Sequence, residues 1–128
     1  MMNRWISKIL AIFTGSSRAG KPATSFRQIH ADEAAAMMER EQGYIILDVR
    51  RRDEYAVRHI PNALNIPNES IRKNEIPELP DKNQLIFVYC QSGARSKEAS
   101  KKLAKLGYTN IVNFGGIRDW KGKQMETD

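Results

Sequence analysis

A single cysteine occurs in the 128 residues, Cys90, at the head of the run C-Q-S-G-A-R-S that ends at Ser96. It directly follows the apolar run L-I-F-V-Y at 85–89 and precedes a helical pattern that begins near Arg95. That order places it in the turn between a strand and the amino end of a helix. Free backbone N–H groups and the positive end of the helix dipole stabilise anions there, which favours a thiolate and makes the sulfur a nucleophile. Gly93 permits the backbone angle that lets successive amides converge on one point, and Arg95 adds a full positive charge. The ordinary alternative is an inert cysteine at the end of a buried strand, since unpaired cysteines are among the most buried residues. Three features that serve the same anion favour nucleophilic catalysis at Cys90.

Other chemistry is poorly supplied. His30 and His59 stand too far from Cys90 in sequence to make a zinc pattern, so no metal site is expected. One cysteine cannot form an internal disulfide, and whatever sulfur bond Cys90 makes must be resolved by another molecule. A lone thiol fits a reducing compartment such as the cytoplasm. The run G-S-S-R-A-G-K-P at 15–22 matches the opening of a phosphate-binding loop, but Pro22 replaces the Ser or Thr that would hold magnesium. The residues before it have a helical period where a strand is required, so no nucleotide site is expected.

The elements that must position Cys90 follow from the apolar pattern. Residues 25–29 read as a short strand, and 32–42 as a helix that turns Ala34, Met37 and Met38 inward and stops at Gly43. Residues 44–49 form a continuous apolar run suited to a strand covered on both faces, followed by a charged helical turn over 53–58. A short strand at 63–66 lies among loops punctuated by Pro61, Pro67, Pro77 and Pro80. After the strand at 85–89, a helix over 95–106 presents Ala99, Leu103 and Leu106 on one face, spaces Glu98 to pair with Lys102, and stops at Gly107. A last strand at 111–114 leads through Gly115 and Gly116 to a turn that carries Trp120. Alternating strands and helices predict an α/β domain with a central, largely parallel five-stranded sheet flanked by helices. Sites in such sheets form beyond the carboxyl ends of the strands, which points again to the residues after Tyr89.

Length bounds this to one domain over 23–124, with a leader and linker at 1–22 and a tail at 125–128. The net charge is +6, yet four of the 21 Lys and Arg lie in the acid-free first 22 residues, leaving 17 against 15 acidic residues. A nearly balanced domain lacks the basic stripe of a nucleic-acid binder, so no nucleic-acid partner is expected. In residues 1–13 the apolar pairs Met1/Met2, Trp5/Ile6, Ile9/Leu10 and Ile12/Phe13 share one helical face opposite Arg4, Ser7 and Lys8. Such a segment suits peripheral contact with a membrane surface, packing on the domain or disorder, or export as a signal whose apolar centre is short and broken by Lys8.

C-Q-S-G-A-R-S resembles the active-site loop of the rhodanese family in its C-x-S-G-x-R-S form. Leu47-Asp48-Val49-Arg50 with Glu54-Tyr55 is similar to that family's D-V-R and E-Y elements, and His59-Ile60-Pro61 with Ala63 to its G-H-I-P-G-A turn. Asn113-Phe114-Gly115-Gly116 with Trp120 resembles its closing G-G and tryptophan. Arg58 and Asn62 depart from the pattern, standing where that turn usually has glycines. The resemblance implies a rhodanese-like three-layer fold and a sulfurtransferase. Cys90 would take a sulfane sulfur from a small anionic donor such as thiosulfate, as a persulfide, and yield it to a thiol, a protein or, in assay, cyanide. The amides of Gln91, Ser92, Gly93, Ala94, Arg95 and Ser96 would hold the persulfide's charge, with Arg95 orienting the donor and no metal or organic cofactor required. Asp48 and Arg50 could touch the pocket rim, but are read as loop braces with Glu54 as a partner for Arg50. His59 is read as structural.

Two other classes compete. Cysteine phosphatases and arsenate reductases resemble C-x5-R, whereas Cys90 and Arg95 enclose four residues. The smaller ring of amides suits one sulfur rather than a tetrahedral oxyanion. A sulfur-relay or binding module acting through a protein partner is the second alternative, since fold alone does not separate these roles.

Overall fold

A computed structural model describes residues 25–72 and 75–126. The leader, with its amphipathic stretch and phosphate-loop-like run, lies outside the described residues. In chain order the elements are β1 (Arg27–Gln28), α1 (Ala31–Arg40), β2 (Ile45–Asp48), α2 (Arg52–Val57), β3 (Arg58–His59), β4 (Leu64–Asn65), β5 (Ile86–Cys90), α3 (Ala94–Lys105), β6 (Ile111–Gly116) and β7 (Met125–Glu126). Five strands form one sheet in the order β1-β6-β5-β2-β4, and every pair in it is parallel. The expected α/β architecture is therefore the observed one.

Alternation along the strands builds two cores, one on each face of the sheet. Ile86, Val88 and Cys90 of β5 pack with Leu47 and Val49 against Ala99, Leu103 and Ala104 of α3. Phe87 and Tyr89 face the other way, with Ile46, Val112 and Phe114, against Ala31 and Ala34 of α1. Every residue of β5 is buried, as its central place in the order requires. α1 is set by Glu33, whose carboxylate accepts the His30 N–H at 3.0 Å, and by the inward spacing of its alanines.

Some local expectations are revised. Glu98 and Lys102 do not pair with each other; both meet Asn68, whose Nδ2 donates to Glu98 at 2.7 Å while Lys102 donates to its backbone oxygen at 2.9 Å. A buried amide offers both side chains a better-fixed partner than an exposed turn of helix does. Met125 and Glu126, assigned to a tail from sequence, form β7 and pair antiparallel with β3. The turn in which Arg58 and Asn62 replace glycines is nevertheless formed. Arg58 is extended, at φ −164°, which any residue adopts, while Asn62 takes a left-handed φ of 69°, which asparagine tolerates better than most.

Candidate active site

Cys90 is the last residue of β5, and the loop to α3 is only Gln91, Ser92 and Gly93. So short a connection aims the amino end of α3 back at the sulfur. Gly93 makes this possible with a φ of 118°, and its N–H donates to Cys90 Sγ at 3.0 Å. The amides of Ala94, Arg95 and Ser96 lie in the first turn of α3, where a helix supplies them no carbonyl partner. The loop thus sets one backbone donor, the Gly93 N–H, on the sulfur at the amino end of a helix, and both features stabilise a negative sulfur species.

The loop is clamped from behind by β6. Cys90 is in register with Gly116, and a Cβ at Gly116 would sit 2.2 Å from the Gln91 carbonyl oxygen. Only glycine fits there, a role not visible in the sequence, where Gly115-Gly116 reads as a turn. Ser96 is fully buried, and its hydroxyl donates towards the carbonyls of Gly93 at 3.0 Å and Gly115 at 3.2 Å. Its side chain fastens the loop to β6 and leaves only its amide for an anion.

Two arginines stand at the cysteine loop, and each is held by a carboxylate. Arg95 makes a two-point pair with Glu54 of α2, at 2.6 Å and 3.1 Å. The same Glu54 accepts the Arg51 N–H at 3.0 Å, closing the first turn of α2. The hydrogen bonds from Arg95 hold the Glu54 carboxyl down at about 2, against an ordinary 4.5. Arg50 is closed onto Asp48 instead, with Nη2 to Oδ2 at 2.7 Å and Nε to Oδ1 at 3.0 Å, and both side chains are almost wholly buried. Burial opposes the Arg50 charge, and the hydrogen bonds and charge of Asp48 more than offset that, so its pKa is raised. Arg50 also donates to the Arg58 carbonyl and to Gln91 Oε1 at 3.3 Å, which ties the end of β2 to the cysteine loop. The partner expected for Arg50 from sequence, Glu54, is therefore corrected to Asp48. Asp48 sits two residues before Arg50 at a strand end, where both side chains reach the same side of the turn.

His59 stacks on Tyr55 at 3.8 Å between ring centres, and its Nδ1 lies 2.8 Å from the Tyr55 carbonyl, the geometry of a donated hydrogen bond. Tyr89 accepts the Ile60 N–H at 3.1 Å and is kept protonated by its burial, which raises its pKa. Both side chains hold the turn after β3 rather than face Cys90's loop.

The Cys90 residue is 1% exposed and does not itself line a cavity of about 460 Å³ that opens over its neighbour Gln91 and over Arg50, Glu54, Arg58, Ile117 and Arg118. Sequence reasoning did not single out Arg118. It leaves β6 two residues past Gly116, and its N–H lies 3.4 Å from the Gln91 carbonyl.

Comparison with known proteins gives the arrangement its context. A family model described as a rhodanese-like domain matches residues 30–123. Thiosulfate sulfurtransferase PspE of Escherichia coli (strain K12) is 37% identical over 73 residues, which cover 57% of this chain and 70% of that protein. The putative sulfur carrier protein YrkF of Bacillus subtilis (strain 168) is 33% identical over 112 residues, covering 85% of this chain and 58% of its own length. A solved structure described as rhodanese with anions from E. coli superposes with a TM-score of 0.61 at 32% identity, covering 66% of this chain and 99% of that one.

Proposed function

Because this chain belongs to the rhodanese-like domain family, we propose that it is a sulfurtransferase which carries a sulfane sulfur on Cys90 as a persulfide. The observation that carries the proposal is the Gly93 N–H at 3.0 Å from Cys90 Sγ, at the amino end of α3. In the first step the Cys90 thiolate attacks the outer sulfur of thiosulfate. A new S–S bond forms, and the bond to the sulfonate breaks with its electron pair leaving on sulfite. In the second step an acceptor, cyanide or a thiol, attacks that outer sulfur and returns the electron pair to Sγ. The amides of Gln91 to Ser96 hold the negative charge in both steps, with no protein rearrangement needed to create them. No metal or organic cofactor takes part.

Arg95, fixed on Glu54, serves this scheme as a fixed positive wall to the loop. Asp48 and Arg50 brace the loop from β2. A second reading, a relay whose acceptor is a protein, is supported by the similarity to a putative sulfur carrier and by the presence of one cysteine only. Both readings pass through the same persulfide, on which the test turns. Incubated with thiosulfate and weighed intact, the protein is expected to gain the mass of one sulfur, removable by cyanide and absent from Cys90→Ser. A protein that gains nothing from thiosulfate or polysulfide yet hydrolyses an aryl phosphate would overturn the proposal in favour of the phosphatase class.

A further inference from the structure

Helix α3 carries a surface that the chemistry at Cys90 does not use. Lys97, Lys101 and Lys105 follow one another at four-residue steps, so they share one side of the helix, and all three are exposed. None of them pairs with a carboxylate among the described residues. Glu98 is the only acid in the helix, and its carboxylate is taken by Asn68. Like charges four residues apart repel and weaken a helix slightly, so this stripe does not serve folding.

At the carboxyl end of the same face lies a groove of about 200 Å³, with Ile71 and Leu106 as its apolar floor and Arg72, Lys102 and Lys105 around them. It shares no residue with the cavity over Gln91. An apolar floor within a wholly cationic rim fits an amphiphile with an anionic head.

Charge rules out the leader as that occupant. Its first 22 residues hold Arg4, Lys8, Arg18 and Lys21 and no acid, so they would meet like charge at α3. The leader and the helix face instead complement the same kind of partner. The apolar pairs and basic residues of 1–13 have the pattern of a segment that lies in a lipid interface, which favours lipid over an acidic protein. The two also belong to one side of the molecule: Phe26 packs into the core beneath α3, so the chain enters β1 on the α3 side of the sheet.

We infer that the exposed face of α3 rests on an anionic lipid surface, with Lys97, Lys101 and Lys105 among the headgroups and the groove at Ile71 and Leu106 open to their acyl boundary. The contact is separate from the cysteine loop and holds for any sulfur acceptor that Cys90 serves.

The test sediments the full chain with vesicles of phosphatidylcholine alone or of phosphatidylcholine and phosphatidylserine in equal parts. The wild type is expected to pellet with the second kind and much less with the first. Lys101→Gln with Lys105→Gln should weaken that binding about tenfold to thirtyfold, since each basic side chain near such a surface contributes severalfold. Lys121→Gln with Lys123→Gln removes the same charge from exposed positions off the helix and should change binding less than about twofold. Both variants are expected to keep a urea midpoint no lower than that of the wild type, so that lost binding is not lost folding. Equal losses in the two variants, or none in the α3 variant, overturn the inference. A wild type that pellets with neither vesicle also overturns it, and its retention by immobilised polyglutamate would assign the face to an acidic protein.

Discussion

The two arginine–carboxylate pairs that flank Cys90 are built in opposite ways. Asp48 and Arg50 are neighbours on one strand end, and their side chains are 0% and 4% exposed. Glu54 and Arg95 are 41 residues apart and join two helices, with side chains 19% and 33% exposed. A dry pair is costly to leave half-made, because the surviving charge has no water to turn to. A wetter pair adds little to stability, so its value lies in where it holds the loop. Both pairs reach the cysteine loop, and the contrast separates the one that also carries domain stability from the one whose main effect is on loop position.

The largest effect is expected from breaking the dry pair. Asp48→Asn leaves Arg50 charged and buried, and should lower the unfolding free energy by about 3–5 kcal/mol, read from urea denaturation. A loss below about 1 kcal/mol would place the pair in the same class as the exposed one and erase the contrast. Glu54→Gln comes next and should separate the two readouts. Its stability is expected to fall by about 1–2 kcal/mol, less than for Asp48→Asn, while persulfide formation from thiosulfate slows about tenfold or more because Arg95 no longer fixes the loop. Glu54→Asp should recover part of the rate. Parallel losses of rate and stability would mean that this pair, too, merely supports the fold.

The smallest effect is a pH dependence. Glu54 has its folded pKa depressed to about 2, chiefly by hydrogen bonds from Arg95, below the ordinary 4.5. A depressed carboxylate contributes stability that is complete above its unfolded pKa and is lost as the pH falls through the folded one. The stability gap between the wild type and Glu54→Gln should therefore be steady above about pH 5 and close as the pH falls from 4.5 towards 2. A gap that persists undiminished at the acid end would show that the ionised pair is not its source.

Most of the frame was legible in the residues. The run at 85–89, the glycine at 93 and the helical pattern from Arg95 place Cys90 between strand and helix, and the structure puts it at the end of β5, before α3. The limits of the edge strands were less legible: β1 and β4 have two residues each, where longer runs were expected. Apolar runs record burial, whereas strand ends are set by which neighbour remains to pair with. β7 carried no signal, because Met125 and Glu126 are exposed and their partner strand is far away in the chain.

What the sequence determined by itself is the local unit around Cys90, since a strand, a left-handed glycine and a helix start are fixed by contacts among near neighbours. What only the tertiary structure decided is the company this unit keeps. Arg95 has Glu54, Arg50 has Asp48, Gly116 leaves no room at Gln91, and Arg118 reaches the cavity unpaired among the described residues. The physical reason is that a charged side chain can reach several partners of equal local merit. The order of the strands in the sheet chooses among them.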